Sequence, residues 1–212
     1  MAFKHFIWDF DGTLYDTYHS IVASTALALA EMDIPRPPEE DLTRMAKSPL
    51  RGAFVEIAGQ DRVEELLARY FVHAGEKGIQ DFVPYPGCRE ALRMVVDAGG
   101  DNYLYTHRNH QAVDALERDE LIPLFKDFIT WEAGFPDKPA PDALLWLCQQ
   151  HNLNPADCVM VGDRNIDLNA AKNAGIASAL FDPDGYLPAA SAEQVFSSLT
   201  DLAQALLKEE KE

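Results

Sequence analysis

A chain of 212 residues with 47% apolar content is long enough for one packed domain, or for a core with a smaller companion. Its 35 acidic against 18 basic residues give a net charge of −17 with no Lys/Arg cluster, which argues against nucleic acid or an anionic membrane surface as partner. An anionic ligand would therefore need local help from a metal, a lysine or helix N-termini.

The chain opens on an apolar run, Phe3 to Trp8, that ends in Asp9-Phe10-Asp11-Gly12-Thr13-Leu14. A short apolar run closed by a turn signal predicts a buried strand. Alternation along that strand points Asp9 and Asp11 the same way. Two carboxylates at one strand end repel unless a cation or shared proton intervenes. The same residues also suit an Asx-type turn that simply ends the strand.

Thr17 to Met32 has apolar residues at helical spacing, and Pro35-Arg36-Pro37-Pro38 stops it. Pro38-Glu39-Glu40-Asp41 predicts the next helix start, with Ser48-Pro49 and Gly52 as its break. Asp61 is expected to cap a helix from Val63 to Lys77. Residues 15–82 thus read as all-helical, a subdomain inserted straight after a strand. Pro84-Tyr85-Pro86-Gly87 is the return linker.

From there strands and helices alternate. Helices are predicted at Cys88 to Ala98, Asn109 to Arg118, Pro141 to His151, Ile166 to Asn173 and Ser198 to Leu207, with a charged tail from Lys208. Strands are predicted at Asn102 to Tyr105, Phe128 to Trp131, Cys158 to Val161, Ile176 to Phe181 and Gln194 to Phe196. Such alternation implies an α/β, Rossmann-like doubly wound parallel sheet covered on both faces. The domain assignment is 1–14 with 83–212 for the core and 15–82 for the small all-helical insert.

In these sheets ligands bind beyond the carboxyl ends of the strands. Those ends deliver Asp9 and Asp11, then Thr106 with His107 and Arg108, then Lys138, then Gly162-Asp163 with Asp167. Carboxylates are hard ligands suited to Mg2+, while a hydroxyl, a lysine and loop amides can hold phosphoryl oxygens. An aspartate beside that cradle can attack phosphorus, and a second carboxyl can move the proton. Each residue also has an ordinary role: Thr106 as a helix cap, Lys138 as a solvated loop lysine, Asp163 in a turn and Asp167 as a first-turn acid. Their arrival at one sheet edge is what favours the chemical reading.

On these motifs the sequence resembles the haloacid dehalogenase superfamily of phosphohydrolases, over most of its length. The insert is similar to the small helical cap of the phosphoglycolate phosphatase and β-phosphoglucomutase branch. The resemblance implies Asp9 as nucleophile and Mg2+ ligand, and Asp11 as general acid/base with its backbone carbonyl towards the metal. It implies that Thr106 and Lys138 hold the phosphoryl group, with Lys138 keeping Asp9 oriented and Phe10 as a further substrate-binding position, Asp163 as a direct metal ligand and Asp167 as support for the metal's surroundings. An acid at position 11 fits a phosphatase or a phosphomutase. The mutases of this branch place a histidine ten residues beyond that acid, where this chain has Ile21; His19 is out of register by two.

His107 and Arg108 replace the small or amide residues of many relatives. They are candidates for contact with the substrate's phosphate or leaving group, or else they cap and charge the next helix. Lys47 and Arg51, in the insert, are candidates for a second anionic group. The expected activity is a Mg2+-dependent phosphatase of a small phosphorylated metabolite. Its rivals are a phosphosugar mutase, a non-catalytic binding or regulatory protein on the same scaffold, and a flavodoxin-like mononucleotide-binding domain. Cys88, Cys148 and Cys158 form an odd set without C-x-x-C spacing and are expected as buried thiols in a reducing, cytoplasmic setting. The first apolar run is cut by Asp9 and lacks a basic flank, so neither signal peptide nor membrane span is expected. The state expected is a monomer or homodimer.

Overall fold

A computed structural model describes residues 2–185 and 194–208. In chain order its elements are β1 (His5–Trp8), β2 (Tyr15–Asp16), α1 (Tyr18–Glu31), α2 (Glu39–Ala46), α3 (Leu50–Ala58), α4 (Val63–Lys77) and β3 (Val83–Pro84). There follow α5 (Cys88–Asp97), β4 (Asp101–Tyr105), α6 (Gln111–Arg118), β5 (Phe125–Ile129), α7 (Asp142–Gln150), β6 (Cys158–Gly162), α8 (Asn165–Ala174), β7 (Ala177–Phe181), β8 (Val195–Phe196) and α9 (Leu199–Leu207). The charged tail after Lys208 lies outside the described residues.

The chain divides into two compact units, Met1–Tyr15 with Pro84–Glu212, and Asp16–Val83. The first unit holds a six-stranded sheet in the order β5-β4-β1-β6-β7-β8, parallel at every pairing. β1 lies in the middle: the chain builds outward to β5, returns, and builds outward again from β6. That is the doubly wound order, and its switch point is at the carboxyl end of β1.

Alternation along the strands separates the two faces. Ile7, Tyr103, Tyr105, Ile129 and Met160 are buried against Ala143, Leu144 and Leu147 of α7 and Ala170, Ala171 and Ala174 of α8. Cys148 and Cys158 belong to this core, and with Cys88 they are free and buried. Burying such apolar surface is worth about 25 cal/mol per Å2, which is what holds β1 in the middle of the sheet. One polar tie reinforces it. The buried Asn102 accepts from Trp8 Nε1 at 2.8 Å and donates to the carbonyls of Leu92 and Leu124 at 2.9 and 3.0 Å. It thereby joins β1, β4, α5 and the approach to β5.

The second unit packs α1 to α4 around Val22, Leu29, Leu42, Phe54, Leu66 and Tyr70. Phe54 and Tyr70 meet edge to face with ring centroids 5.5 Å apart. Three local expectations change. Gly52 lies inside α3 rather than breaking a helix, and a Cβ there would meet nothing within 4 Å. The residue at the head of α4 is Arg62, with no side-chain cap bond, so Asp61 does not cap it. The strand expected at Phe128 to Trp131 runs from Phe125 to Ile129, and Trp131 begins a short 3-10 turn. Among the described residues no helix is long and apolar enough to cross a membrane.

Candidate active site

β1 carries Asp9 into the switch point, and the Asp9 amide donates to Val161 O at 2.9 Å, which holds its backbone to β6. Its carboxylate is 1% exposed. Oδ1 accepts from Lys138 Nζ at 2.7 Å, whereas Oδ2 is buried and has no hydrogen-bond partner. Burial pushes the Asp9 carboxyl up to about 6, with Lys138 pulling the other way and Asp167 adding to the rise.

Lys138 comes from the loop after β5. Its ammonium is fully buried and donates to Asp9 Oδ1, to Asp167 Oδ1 at 2.8 Å and to Tyr105 O at 2.9 Å. The three donors of an ammonium are thereby used. Burial opposes its charge, but Asp167 and Asp9 outweigh burial and hold the lysine above its ordinary pKa. The Tyr105 ring lies beneath it, with Nζ 4.4 Å from the centroid. Tyr105 was not singled out in the sequence; its only signal is its place as the last residue of a strand that leads into Thr106.

β6 brings the other carboxylates. Asp163 follows the strand, and Asp167 stands one turn into α8, its Oδ2 accepting from the Arg164 amide at 3.2 Å. A Cβ on Gly162 would lie 2.3 Å from Asp167 Cβ, so only glycine lets the carboxylate fold back over the strand end. Asp9, Asp163 and Asp167 each offer an oxygen within 4.8 Å of the others, and all three are buried. Three buried carboxylates, one of them with an unpartnered oxygen, suit a hard divalent cation such as Mg2+.

The loop after β4 supplies the rest. Thr106 is buried, and its Oγ1 accepts from the Arg108 amide at 3.0 Å. It does not cap α6, which starts at Gln111 with His110 before it. His107 Nε2 accepts from the Lys138 amide at 2.8 Å, so the ring proton is on Nδ1. Burial pushes His107 down to about 4, helped by the Lys138 charge. Arg108 holds Asp11, with Nε at 2.8 Å and Nη2 at 2.6 Å from Oδ1. The Asp11 carboxylate is not one of the three clustered around the cation position.

Phe10 is fully buried and stacks on Tyr15 with centroids 4.5 Å apart, so a ligand would meet its backbone only. Lys47 and Arg51 belong to the second unit. There Lys47 Nζ lies 5.0 Å from the Tyr18 ring centroid, and Arg51 pairs with Glu64 at 2.5 Å.

The edge thus joins a buried carboxylate with one unpartnered oxygen, a fixed ammonium, a hydroxyl and a second carboxylate with its own arginine. Such a set can transfer a phosphoryl group. Comparison with known proteins agrees. A family model described as haloacid dehalogenase-like hydrolase matches residues 6–181. A phosphoglycolate phosphatase of Vibrio parahaemolyticus is 30% identical over 194 residues, covering 82% of each chain. One of Aliivibrio fischeri is 29% identical over 189 residues, again covering 82% of each. Among solved structures, a putative haloacid dehalogenase-like hydrolase from Bacteroides fragilis superimposes with a TM-score of 0.84 at 20% identity, covering 94% of this chain and 99% of that one. At that identity the likeness concerns the fold.

Proposed function

The chain belongs to the haloacid dehalogenase-like hydrolase family and is a phosphatase, and from that premise we propose that it is Mg2+-dependent and hydrolyses small phosphate monoesters through an aspartyl-phosphate on Asp9. The observation that carries this reading is the asymmetry of the Asp9 carboxylate. One oxygen is fixed by Lys138, and the other is buried with no hydrogen-bond partner. A buried carboxylate oxygen left so is costly unless a cation or an electrophile takes it up.

Asp9 attacks phosphorus, and the ester oxygen leaves with the bonding pair. Asp11, two residues on, gives that oxygen its proton and later takes one from the water that attacks the phosphoenzyme; the bond between Asp9 and phosphorus then breaks, which frees the carboxylate and releases phosphate. Lys138 keeps the nucleophile oriented and, with Thr106, balances charge on the transferring group. Asp9, Asp163 and the Asp11 carbonyl would hold Mg2+, with Asp167 in support; when bound it offsets the charge of the carboxylates and of the phosphoryl oxygens. In this reading the unit Asp16–Val83 has the role of a cap domain, and Lys47 and Arg51 are its candidate ligands for a second anionic group.

Against the phosphomutase alternative stands the residue at position 21, where the mutases of this branch place a histidine. Ile21 is there, packed against the core of the helical unit. The buried free thiols support a reducing, cytoplasmic location. The name of the curated relatives makes a phosphorylated hydroxy acid the first compound to try. The test is phosphate release from a panel of phosphorylated metabolites with Mg2+. Release that stops on chelation and returns on adding Mg2+ supports the reading. An isomeric product without free phosphate would overturn it.

A further inference from the structure

Arg108 is a candidate either for the substrate or for capping and charging the next helix, and its guanidinium in fact meets a protein carboxylate. Nε and Nη2 both close on a single oxygen of Asp11, at 2.8 and 2.6 Å, and the two side chains are only 14% and 17% exposed. The backbone of Arg108 is fixed on both sides. Its amide donates to Thr106 Oγ1 at 3.0 Å, and its carbonyl accepts from the Trp131 amide at 3.0 Å. The arginine is therefore built into the loop that presents Thr106 and is tied to the segment that leads to Lys138. Arginine suits this task because its donors are rigid and permanently charged.

We infer that Arg108 is a positioning residue for Asp11: by holding Oδ1 through the Nε hydrogen bond and the Nη2 ion pair it fixes the orientation of the carboxylate that exchanges the proton with the ester oxygen. This rests on the reading of Asp11 as the acid/base and goes beyond it, because the reaction's proton step then depends on a residue that need not touch the substrate. A planar guanidinium that hydrogen-bonds through Nε and pairs through Nη2 defines a direction, which a lone cation would not. Proton transfer is sensitive to that direction, since acid and base must lie within hydrogen-bond reach of the reacting atom.

The test compares kcat/KM for two kinds of substrate in the full-length enzyme with Mg2+. 4-Nitrophenyl phosphate releases a stable phenolate and needs little protonation; an alkyl phosphate such as glycerol phosphate releases a poor leaving group. Arg108→Ala is expected to lower kcat/KM for the alkyl phosphate by about 10- to 100-fold, part of the roughly 100- to 10,000-fold worth of a general acid. For the aryl phosphate it is expected to change by less than about threefold. In Asp11→Asn the same selectivity is expected, and adding Arg108→Ala to it should cost nothing further. Arg108→Lys, which keeps the charge and loses the fork, should fall between, and it carries the test if the alanine variant does not fold.

Equal losses on both substrates, additive with Asp11→Asn, would mean that Arg108 binds the phosphoryl group directly and would overturn the inference alone. Unchanged alkyl phosphate hydrolysis in Arg108→Ala would do the same. An Asp11→Asn variant without leaving-group selectivity would overturn the acid/base reading and the inference together.

Discussion

Lys138 and Asp9 stand 129 residues apart in the chain, yet Lys138 Nζ is 2.7 Å from Asp9 Oδ1 and both side chains are almost completely buried. The sheet order produces this meeting: β1 is central, and the loop after β5 folds back across the strand ends to reach it. An ion pair in such surroundings is hard to remove on one side only, because the partner keeps a charge with nothing to offset it. Lys138 in fact offsets two carboxylates, Asp9 and Asp167.

Lys138→Ala should therefore destabilise the protein as well as disable it. Losing the shared partner of two buried carboxylates costs about 3–5 kcal/mol, readable as a fall in the denaturant midpoint. Adding Mg2+ should recover part of that stability without restoring turnover. A variant that unfolds like the wild type would mean the lysine is not the counter-ion described.

Asp9→Asn keeps the shape of the side chain and removes the nucleophilic charge. Turnover should fall by at least about a thousandfold, while the thermal unfolding midpoint stays level or rises, since burial already disfavours the Asp9 charge. Retained turnover at more than a few per cent would place the nucleophile elsewhere.

Gly162→Ala tests the strand end. The added Cβ would lie 2.3 Å from Asp167 Cβ and 2.6 Å from Asp167 Oδ2, so the carboxylate must move. A loss of about 1–3 kcal/mol is expected from such overpacking, with a larger KM for Mg2+ because Asp167 no longer supports the cluster. Unchanged Mg2+ dependence would separate Asp167 from the metal.

His107 predicts a pH signature. Its folded-state value of about 4 lies below the 6.5 of an unperturbed histidine, because burial and Lys138 disfavour the imidazolium. The unfolded chain then binds the extra proton first, so stability is complete above pH 6.5 and falls as pH drops towards 4. The span corresponds to about 3 kcal/mol. His107→Gln should flatten the slope of stability against pH in that window. An identical slope in variant and wild type would contradict the neutral imidazole that accepts from the Lys138 amide.

Which parts of this were legible beforehand follows from local physics. Phe6 to Trp8 of β1 and Cys158 to Val161 of β6 are continuous apolar runs because they are buried on both faces, and the polar residues after them stand out. β5 is an edge strand, and its polar Lys126 and Asp127 break the apolar run, so the sequence pattern places it three residues late. β2 and β3 have two residues each, too few for any period to show. Gly52 looked like a break but sits in open space where a helix tolerates it. At the site, Asp9, Thr106, Lys138, Asp163 and Asp167 could be collected by their common place at strand ends. The partners of His107 and Arg108 could not, because Lys138 is 31 and Asp11 is 97 residues away and no spacing rule links them.

In the proposed reaction Asp9 is the group that takes the phosphoryl. Beryllium trifluoride copies a phosphoryl group and needs no knowledge of the substrate, so the most direct measurement is a crystal structure of the protein with Mg2+ and that anion. The expected result is beryllium bonded to the Asp9 carboxylate, with Thr106 Oγ1 against a fluorine, Lys138 Nζ still on Asp9, and Mg2+ held by Asp9 and Asp163. A trifluoride bound to another side chain, or none bound while Mg2+ occupies the cluster, would contradict it.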